Sequence, residues 1–446
     1  MKTSAVRLNI LISAYSCGPD MGSEPGIGWN TVCQAARNHN VWVITRRKNR
    51  EAIERAMAVE YVPNVQFVYF DYPRWMRFWK KGSRGVHLYF YLWQMGASRV
   101  AKRLHGEVQF DVAHHITFGT YSYPSLLSFL NVPFIWGPVG GGESAPFAFW
   151  KTLGWKGYLF ELVRSLARKR GELDPFARRT ARKASVAIAT TSETAKRVRG
   201  MGAQRIVTQS VAALNEEDLR ILQAIPKREN GPFRIFSVGR LLHWKGFHMG
   251  LEAFARLAKE VPGGEYWVIG DGPERQRLER LAERLGVTQQ VTFFGNLSRV
   301  ETLRKMAECD AMLFPSLHDS GGWVSVESMA AGRPVVCLDL GGPALQVVPS
   351  TGFKIFARNP QQTMQELTQA LLTLAKDRNL RDQMAEAGRQ RVRDEFNWTH
   401  VGQVFESLYQ QVAGSRPAEG SLDQVELQKS RANSPGTRNV SLEREA

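Results

Sequence analysis

The sequence predicts an α/β protein made of two facing Rossmann-like domains, each with a parallel sheet, and a cleft between them. Three observations carry this. Short apolar runs alternate with helical patterns through both halves of the 446 residues, as parallel sheets with crossover helices require. A polar stretch at 225–232 (IPKRENGP), bracketed by proline and holding a glycine, divides the halves. Glycine-rich loops follow the apolar runs directly, where an open α/β sheet binds its ligands.

In the first half, 7–13, 41–45, 65–70, 110–114, 133–136 and 186–190 read as strands and 27–37 as a helix. In the second, 233–238, 266–269, 291–294, 311–314 and 334–337 read as strands. There 247–259, 274–285 and 323–331 read as helices, and Ser298 and Glu301 have capping-box spacing. The expected domains are 1–224 and 233–394, followed by a helix at 395–413. The tail, 414–446, is rich in Ser, Arg, Glu, Gln and Pro and is expected to be disordered.

Composition narrows the class. No run of eighteen apolar residues exists, so a spanning helix is not expected. The short apolar run 8–14 behind Lys2 and Arg7 reads as a buried strand rather than a signal peptide, because a glycine-rich loop follows at once. Cys17, Cys33, Cys309 and Cys337 lack metal-ligand spacing and read as reduced thiols of a cytoplasmic protein. Residues 1–212 hold 30 Lys+Arg against 13 Asp+Glu, whereas 213–446 hold 29 of each, so the whole net charge of +17 sits in the first half. An acidic partner facing that half follows.

The second half carries the chemistry. After the strand ending at Val238 comes Gly239-Arg240-Leu241-Leu242-His243-Trp244-Lys245-Gly246. Arg240 and Lys245 flank a strand-to-helix turn that can aim both at one anion. When a nucleotide sugar reacts, negative charge grows on the departing diphosphate. Fixed cations stabilise that state more than the ground state. A second loop, from Pro315 to Trp323, ends a strand and opens a helix near Gly322. Free N–H groups there suit a phosphate or sugar hydroxyls. Glu327, about one turn further on, is placed to accept two ribose hydroxyls.

In these residues the chain resembles the retaining glycosyltransferases of family 4, which have the GT-B fold. The resemblance runs from Val238-Gly239-Arg240-Leu241 and Lys245-Gly246 through Gly270-Asp271-Gly272-Pro273, Phe293-Phe294-Gly295-Asn296-Leu297, Cys309-Asp310 and Phe314-Pro315-Ser316. It ends with Glu327-Ser328-Met329-Ala330-Ala331-Gly332-Arg333-Pro334-Val335-Val336. It implies that Arg240 and Lys245 hold the diphosphate and Glu327 the ribose. The backbone of Gly321, Gly322, Trp323 and Val324 would meet the sugar hydroxyls and phosphate. Phe294, Gly295, Asn296 and Leu297 would flank the base. The family usually shows two glutamates eight positions apart; here the first is Asp319, one methylene shorter. That departure bears on the donor sugar rather than the nucleotide. No Asp-x-Asp triplet is present, so neither a metal nor a cofactor is expected, with Arg240 and Lys245 in the metal's place. The final helix is expected to pack back on the first domain, anchored by Phe396 and Trp398.

In the first half, Gly18, Gly22, Ser23, Gly26 and Gly28 read as a loop between strand and helix (CGPDMGSEPGIGW), where glycine lets phosphate or sugar approach. Its position matches the family's first-domain loop. The strand end at Asp111-Val112-Ala113-His114-His115-Ile116-Thr117 lies where the family often places a histidine facing the transferred sugar. Alternation lets one of the two face the cleft; His115 is the first choice and His114 the second. The loop from Trp136 to Glu143, with Gly140 and Gly141, follows the next strand and should line the same cleft, with Glu143 read as a solvated carboxylate.

Residues 73–106 contain no acid but carry Arg74, Arg77, Lys80, Lys81, Arg84, Arg99, Lys102 and Arg103, interleaved with tryptophan, tyrosine and phenylalanine. A second acid-free stretch, 144–160, adds Phe147, Trp150, Lys151, Trp155 and Lys156. Cations beside aromatics suit an anionic bilayer surface. No nucleic-acid module is visible, so nucleic acid is not an expected partner. The expectation is therefore a metal-independent, retaining hexosyltransferase. Its donor is a nucleoside-diphosphate sugar and its acceptor a lipid-linked or cell-envelope glycan at the inner face of the cytoplasmic membrane. Two alternatives stand beside it: a nucleotide-sugar 2-epimerase-like isomerase, and a non-catalytic nucleotide-sugar binding subunit.

Overall fold

The computed structural model describes residues 6–19, 22–80, 85–226 and 228–414. Seven strands build the first sheet: β1 (Asn9–Ala14), β2 (Asn40–Thr45), β3 (Val65–Tyr69), β4 (Val112–Thr117), β5 (Phe134–Val139), β6 (Val186–Ala189) and β7 (Ile206–Thr208). Their spatial order is β3-β2-β1-β4-β5-β6-β7. Six build the second: β8 (Arg234–Val238), β9 (Glu265–Ile269), β10 (Val291–Gly295), β11 (Ala311–Phe314), β12 (Val335–Leu338) and β13 (Gly352–Ile355), in the order β10-β9-β8-β11-β12-β13. All these strand pairs are parallel. Strand order reverses between β1 and β4 and again between β8 and β11, and ligands of open α/β sheets bind at such switch points. Two short outer strands, β7 and β13, join the eleven expected from sequence.

Central strands are buried on both faces. Along β1, Leu11 packs with Phe90 and Trp93, while Ile10 and Ile12 pack on the other side. That second face is covered by the last helix, Trp398–Gly414, through Trp398, Val401, Phe405, Leu408, Tyr409 and Val412 at helical spacing. Phe396, two residues before Trp398, lies instead in the core of the second domain. The chain end thus crosses from the second domain to the first. Residues 415–446, including the expected disordered tail, lie outside the described residues.

The domain boundary differs from the expected one. The helix Glu216–Gln223 buries Leu222 in the second domain's core, beside Phe236 and Met312. The outgoing crossing therefore lies before this helix, near Leu214. There the Leu214 N–H donates to Phe396 O (2.9 Å) and the Trp398 N–H donates to Leu214 O (3.1 Å), so both crossings run side by side. Within the polar stretch, residues 228–232 form a surface turn of the second domain: Arg228 pairs with Asp310 and donates to Pro232 O at 2.6 Å. Its composition marks a turn, and turns within domains share that chemistry with linkers. Among the described residues no helix is long and apolar enough to cross a membrane.

Phe405→Ala removes a ring buried between helix and sheet. It should lower the stability of the first domain by about 3–5 kcal/mol, read as a lower urea midpoint.

Candidate functional site

Two loops of the second domain meet at the carboxyl ends of β8 and β11. The Leu317 N–H donates to Trp244 O at 2.8 Å, and a side chain on Gly246 (φ +69°) would run into Pro315 O. Lys245 forms an ion pair with Asp319, and its ammonium also lies 5.5 Å from the centre of the Phe314 ring. Asp319 Oδ1 accepts from the amides of Gly321 (3.2 Å) and Gly322 (3.1 Å). Burial alone would raise the Asp319 pKa; Lys245 and these amides outweigh it and hold the carboxyl below its ordinary range. Trp323 and Val324 follow in the first turn of the helix Trp323–Ala330. Arg240 sits at the end of β8 with its side chain exposed. Arg240 and Lys245 thus share one strand-to-helix loop, and Asp319, Gly321 and Gly322 sit in the loop against it.

Glu327 is mostly buried and pairs with Arg299 at 2.7 Å, which also holds Asp218 at 2.7 Å. Burial raises the Glu327 pKa and Arg299 opposes that rise. Phe294 packs edge-on against Trp267 with ring centres 5.0 Å apart, and the Gly295 carbonyl accepts from the Gly270 N–H at 2.8 Å. Asn296 is exposed and Leu297 half-buried beside them.

The first domain closes the other side. The helix Ser23–Ala36 begins earlier than expected, so Gly26 and Gly28 stand in its first turns rather than in a loop. Glycine at 28 serves packing there: a side chain would collide with Ser16 O. Gly22 precedes this helix in extended backbone and Ser23 starts it at φ +61°. Gly140 and Gly141 face the second domain directly, since the Gly141 N–H donates to Ser320 Oγ at 3.2 Å. Glu143 is not solvated, contrary to expectation. Its carboxylate is buried and accepts from Thr191 (2.7 Å), Thr194 (2.9 Å), the Gly141 amide (3.1 Å) and Ser320 (2.6 Å). A buried carboxylate needs such partners, and here one of them comes from across the cleft.

Both histidines of β4 are buried. His114 faces the last helix; its Nδ1 is 2.7 Å from Tyr409 Oη and its Nε2 2.7 Å from Gly137 O. His115 points to the opposite face, where Phe90 lies 6.2 Å away, and its Nδ1 has no hydrogen-bond partner. Burial pushes the His114 pKa down to about 4 and that of His115 down to about 3.

A further group had no expected role. Glu161, on the helix Gly154–Leu173, has a fully buried side chain set between two histidines of the second domain. Its Oε1 is 3.1 Å from His318 Nε2 and 3.6 Å from His243 Nε2. Phe160, Trp244 and His318 stack in sequence, with ring centres 5.1 and 5.2 Å apart. Burial would raise the Glu161 pKa, but His243, His318 and Arg164 outweigh it and hold it at about 2. Burial lowers the His318 pKa, so at pH 7 its neutral ring donates Nε2–H to the carboxylate. One signal was legible: Glu161 is the only acid in 144–171.

The family model of the glycosyl transferases, group 1, matches residues 220–391. Both loops lie within the stretch that this family model covers. The chain is 31% identical to 2-deoxystreptamine glucosyltransferase of Streptomyces kanamyceticus over 196 residues, which are 42% of this chain and 47% of that protein. It is also 31% identical to the lipopolysaccharide core biosynthesis glycosyltransferase LpsE of Rhizobium meliloti over 190 residues, 41% of this chain and 50% of that protein. The chain thus spans about half the length of the curated relatives it matches. Among solved structures, sucrose-phosphate synthase from Thermosynechococcus elongatus superposes with a TM-score of 0.59 at 18% identity, covering 91% of this chain and 99% of that one. HepE of Anabaena, in complex with UDP and glucose, superposes with a TM-score of 0.54 at 18% identity, covering 90% of this chain and 99% of that one. Together with the two parallel sheets, these likenesses give the two described domains the GT-B fold.

A carboxyl whose folded pKa lies below its unfolded value stabilises the fold above the unfolded value, and loses that contribution as pH falls through the folded one. For Glu161 the window runs from 4.5 down to about 2. Glu161→Gln should therefore destabilise the chain at about pH 5 and above. The gap from the parent should narrow below pH 4.5, measured by urea unfolding at stepped pH.

Proposed function

We propose that this chain is a retaining glycosyltransferase that moves a hexosyl unit from a nucleoside-diphosphate sugar to a hydroxyl acceptor, using no bound metal. The observation that carries the reading is the pairing of two strand-end loops, one bearing Arg240 and Lys245, the other Asp319, Gly321 and Gly322. Arg240 is exposed and unpaired among the described residues, so its charge is available to a diphosphate. Lys245 is held by Asp319 beside it.

In the proposed step the bond between the sugar C1 and the diphosphate oxygen breaks. The acceptor oxygen bonds C1 from the same face, and its proton passes to a diphosphate oxygen. Negative charge grows on that phosphate, and Arg240 and Lys245 neutralise it without rearrangement. Glu327 holds the ribose after exchanging Arg299 for its hydroxyls, and Phe294 to Leu297 flank the base. The amides around Trp323 and Val324, the Gly22 and Ser23 helix start, Gly140 and Gly141 border the sugar. His115, whose Nδ1 is free, is the β4 histidine nearest this role; His114 is occupied by Tyr409 and Gly137. HepE of Anabaena, whose structure holds UDP-glucose, supports the donor class.

The acceptor is a lipid-linked or cell-envelope glycan, and the chain works as a peripheral protein on the inner face of the cytoplasmic membrane. The charge of the first half supports this, as do its exposed aromatics: Trp75 and Phe78 are 74% and 76% exposed among cations. Several aromatics of the same stretches, Tyr89, Phe90, Trp93, Phe149 and Trp150, are core instead, and Lys81 and Arg84 lie outside the described residues. LpsE of Rhizobium meliloti, by its name, acts in lipopolysaccharide core biosynthesis.

Arg240→Ala should reduce kcat about 10²–10³-fold with the fold intact, measured by release of nucleoside diphosphate from uridine, guanosine and adenosine diphosphate sugars. Turnover equal to the parent's would sink the mechanism.

A further inference from the structure

The helix Gly154–Leu173 is amphipathic in the reverse sense. A surface helix of a globular protein turns its apolar stripe to the core. Here the inward positions are polar, small or charged, and each touches the cleft. Gly157 lies against the His243 ring, Glu161 holds His243 and His318, and Arg168 donates to the Glu143 carbonyl. The outward stripe is Trp155, Leu159, Leu162, Val163, Leu166 and Leu173, with Trp155 at 74% and Leu166 at 60% exposed. A contiguous apolar strip of this kind marks an interaction surface. Its fringe decides the partner. Lys151, Lys156, Lys169 and Arg170 are exposed around it, and of the helix's two acids Glu161 is buried on the far side while Glu172 is half-buried and held by Arg197 and Tyr121. Four cations without an exposed acid complement an anionic lipid surface, and an apolar stripe of this length lies in such a surface along the bilayer plane.

We propose that this helix is a strut between lipid and active site: its outer stripe lies in an anionic lipid surface, while Glu161 on its inner face holds the two phosphate-side loops in register. Lipid engagement and order at the donor loops are then coupled. Glu161 is a positioning residue, because His243 is two residues from Lys245 and His318 adjoins Asp319. The stacked Phe160, Trp244 and His318 rings make the connection stiff. Fixing the helix in a lipid plane therefore fixes both loops through a single carboxylate. The inference rests on the membrane reading above and adds to it the element that docks and the route inward.

The test uses the full chain with vesicles of phosphatidylglycerol and phosphatidylcholine, and with phosphatidylcholine alone. The parent should pellet with the anionic vesicles only. Bound to them, the amides of 243–246 and 316–322 should exchange hydrogen about five-fold more slowly or better. Leu159→Ser, Leu162→Ser and Leu166→Ser combined should lower vesicle affinity about ten-fold or more, with the chain folded as before. Glu161→Gln, and separately His318→Gln, should keep vesicle binding but lose the slowing. A triple variant that pellets like the parent would overturn the docking face and leave the wider membrane reading in place. So would a parent dimer that the triple variant dissolves, since a second copy would then cover the stripe. Slowing that persists in Glu161→Gln would overturn the coupling. None of these readouts needs a nucleotide, so a failure of the donor reading is seen separately.

Discussion

The cleft depends on the contact between the loop after β8 and the loop after β11. The first carries Arg240 and Lys245, the second Asp319 and the glycine amides that bond it. The connections that hold the two in register are short. The Leu317 amide bonds the Trp244 carbonyl, Gly246 leaves room for Pro315, and Lys245 meets Asp319. Asp319 is well suited to the inner position. Its short side chain lets one oxygen collect the Gly321 and Gly322 amides while the other meets the ammonium. A longer carboxylate would reach further toward a bound sugar.

The first domain reaches the second with three carboxylates, two of them on these same loops. Glu143 receives Ser320, Glu161 receives His318 and His243, and Glu193 accepts from the Gly341 amide at 2.9 Å. All three are carboxylates, all come from the first domain, and all meet donors on the second. A domain with a large cationic excess has thus placed acids where it faces its partner, with Arg164 beside Glu161 and Arg168 on the Glu143 carbonyl.

Much of this was legible in the sequence because it is local. Apolar runs bounded by glycine gave eleven of the thirteen strands. The two others, β7 and β13, are short and lie at or beside sheet edges, where little apolar pattern is needed. The Arg240–Lys245 loop, the glycine loop and the capping box at Ser298 are contiguous motifs, and the capping box is present with both its bonds. What remained hidden is long-range. Glu143 looked like a loop carboxylate because its partners, Thr191, Thr194 and Ser320, are distant in the chain. Glu161 and the histidines it holds lie on different domains. The boundary was misplaced because Pro, Gly and charge mark a turn whether or not the chain changes domain there.

The paired crossings at Leu214 and Asn397 have a mechanical consequence. Two chain segments bonded edge to edge act as a single pivot pin: the domains can swing about that short line, but sliding one past the other would tear both bonds. In such a swing, groups on the lips of the crevice would travel furthest and those beside the pin least.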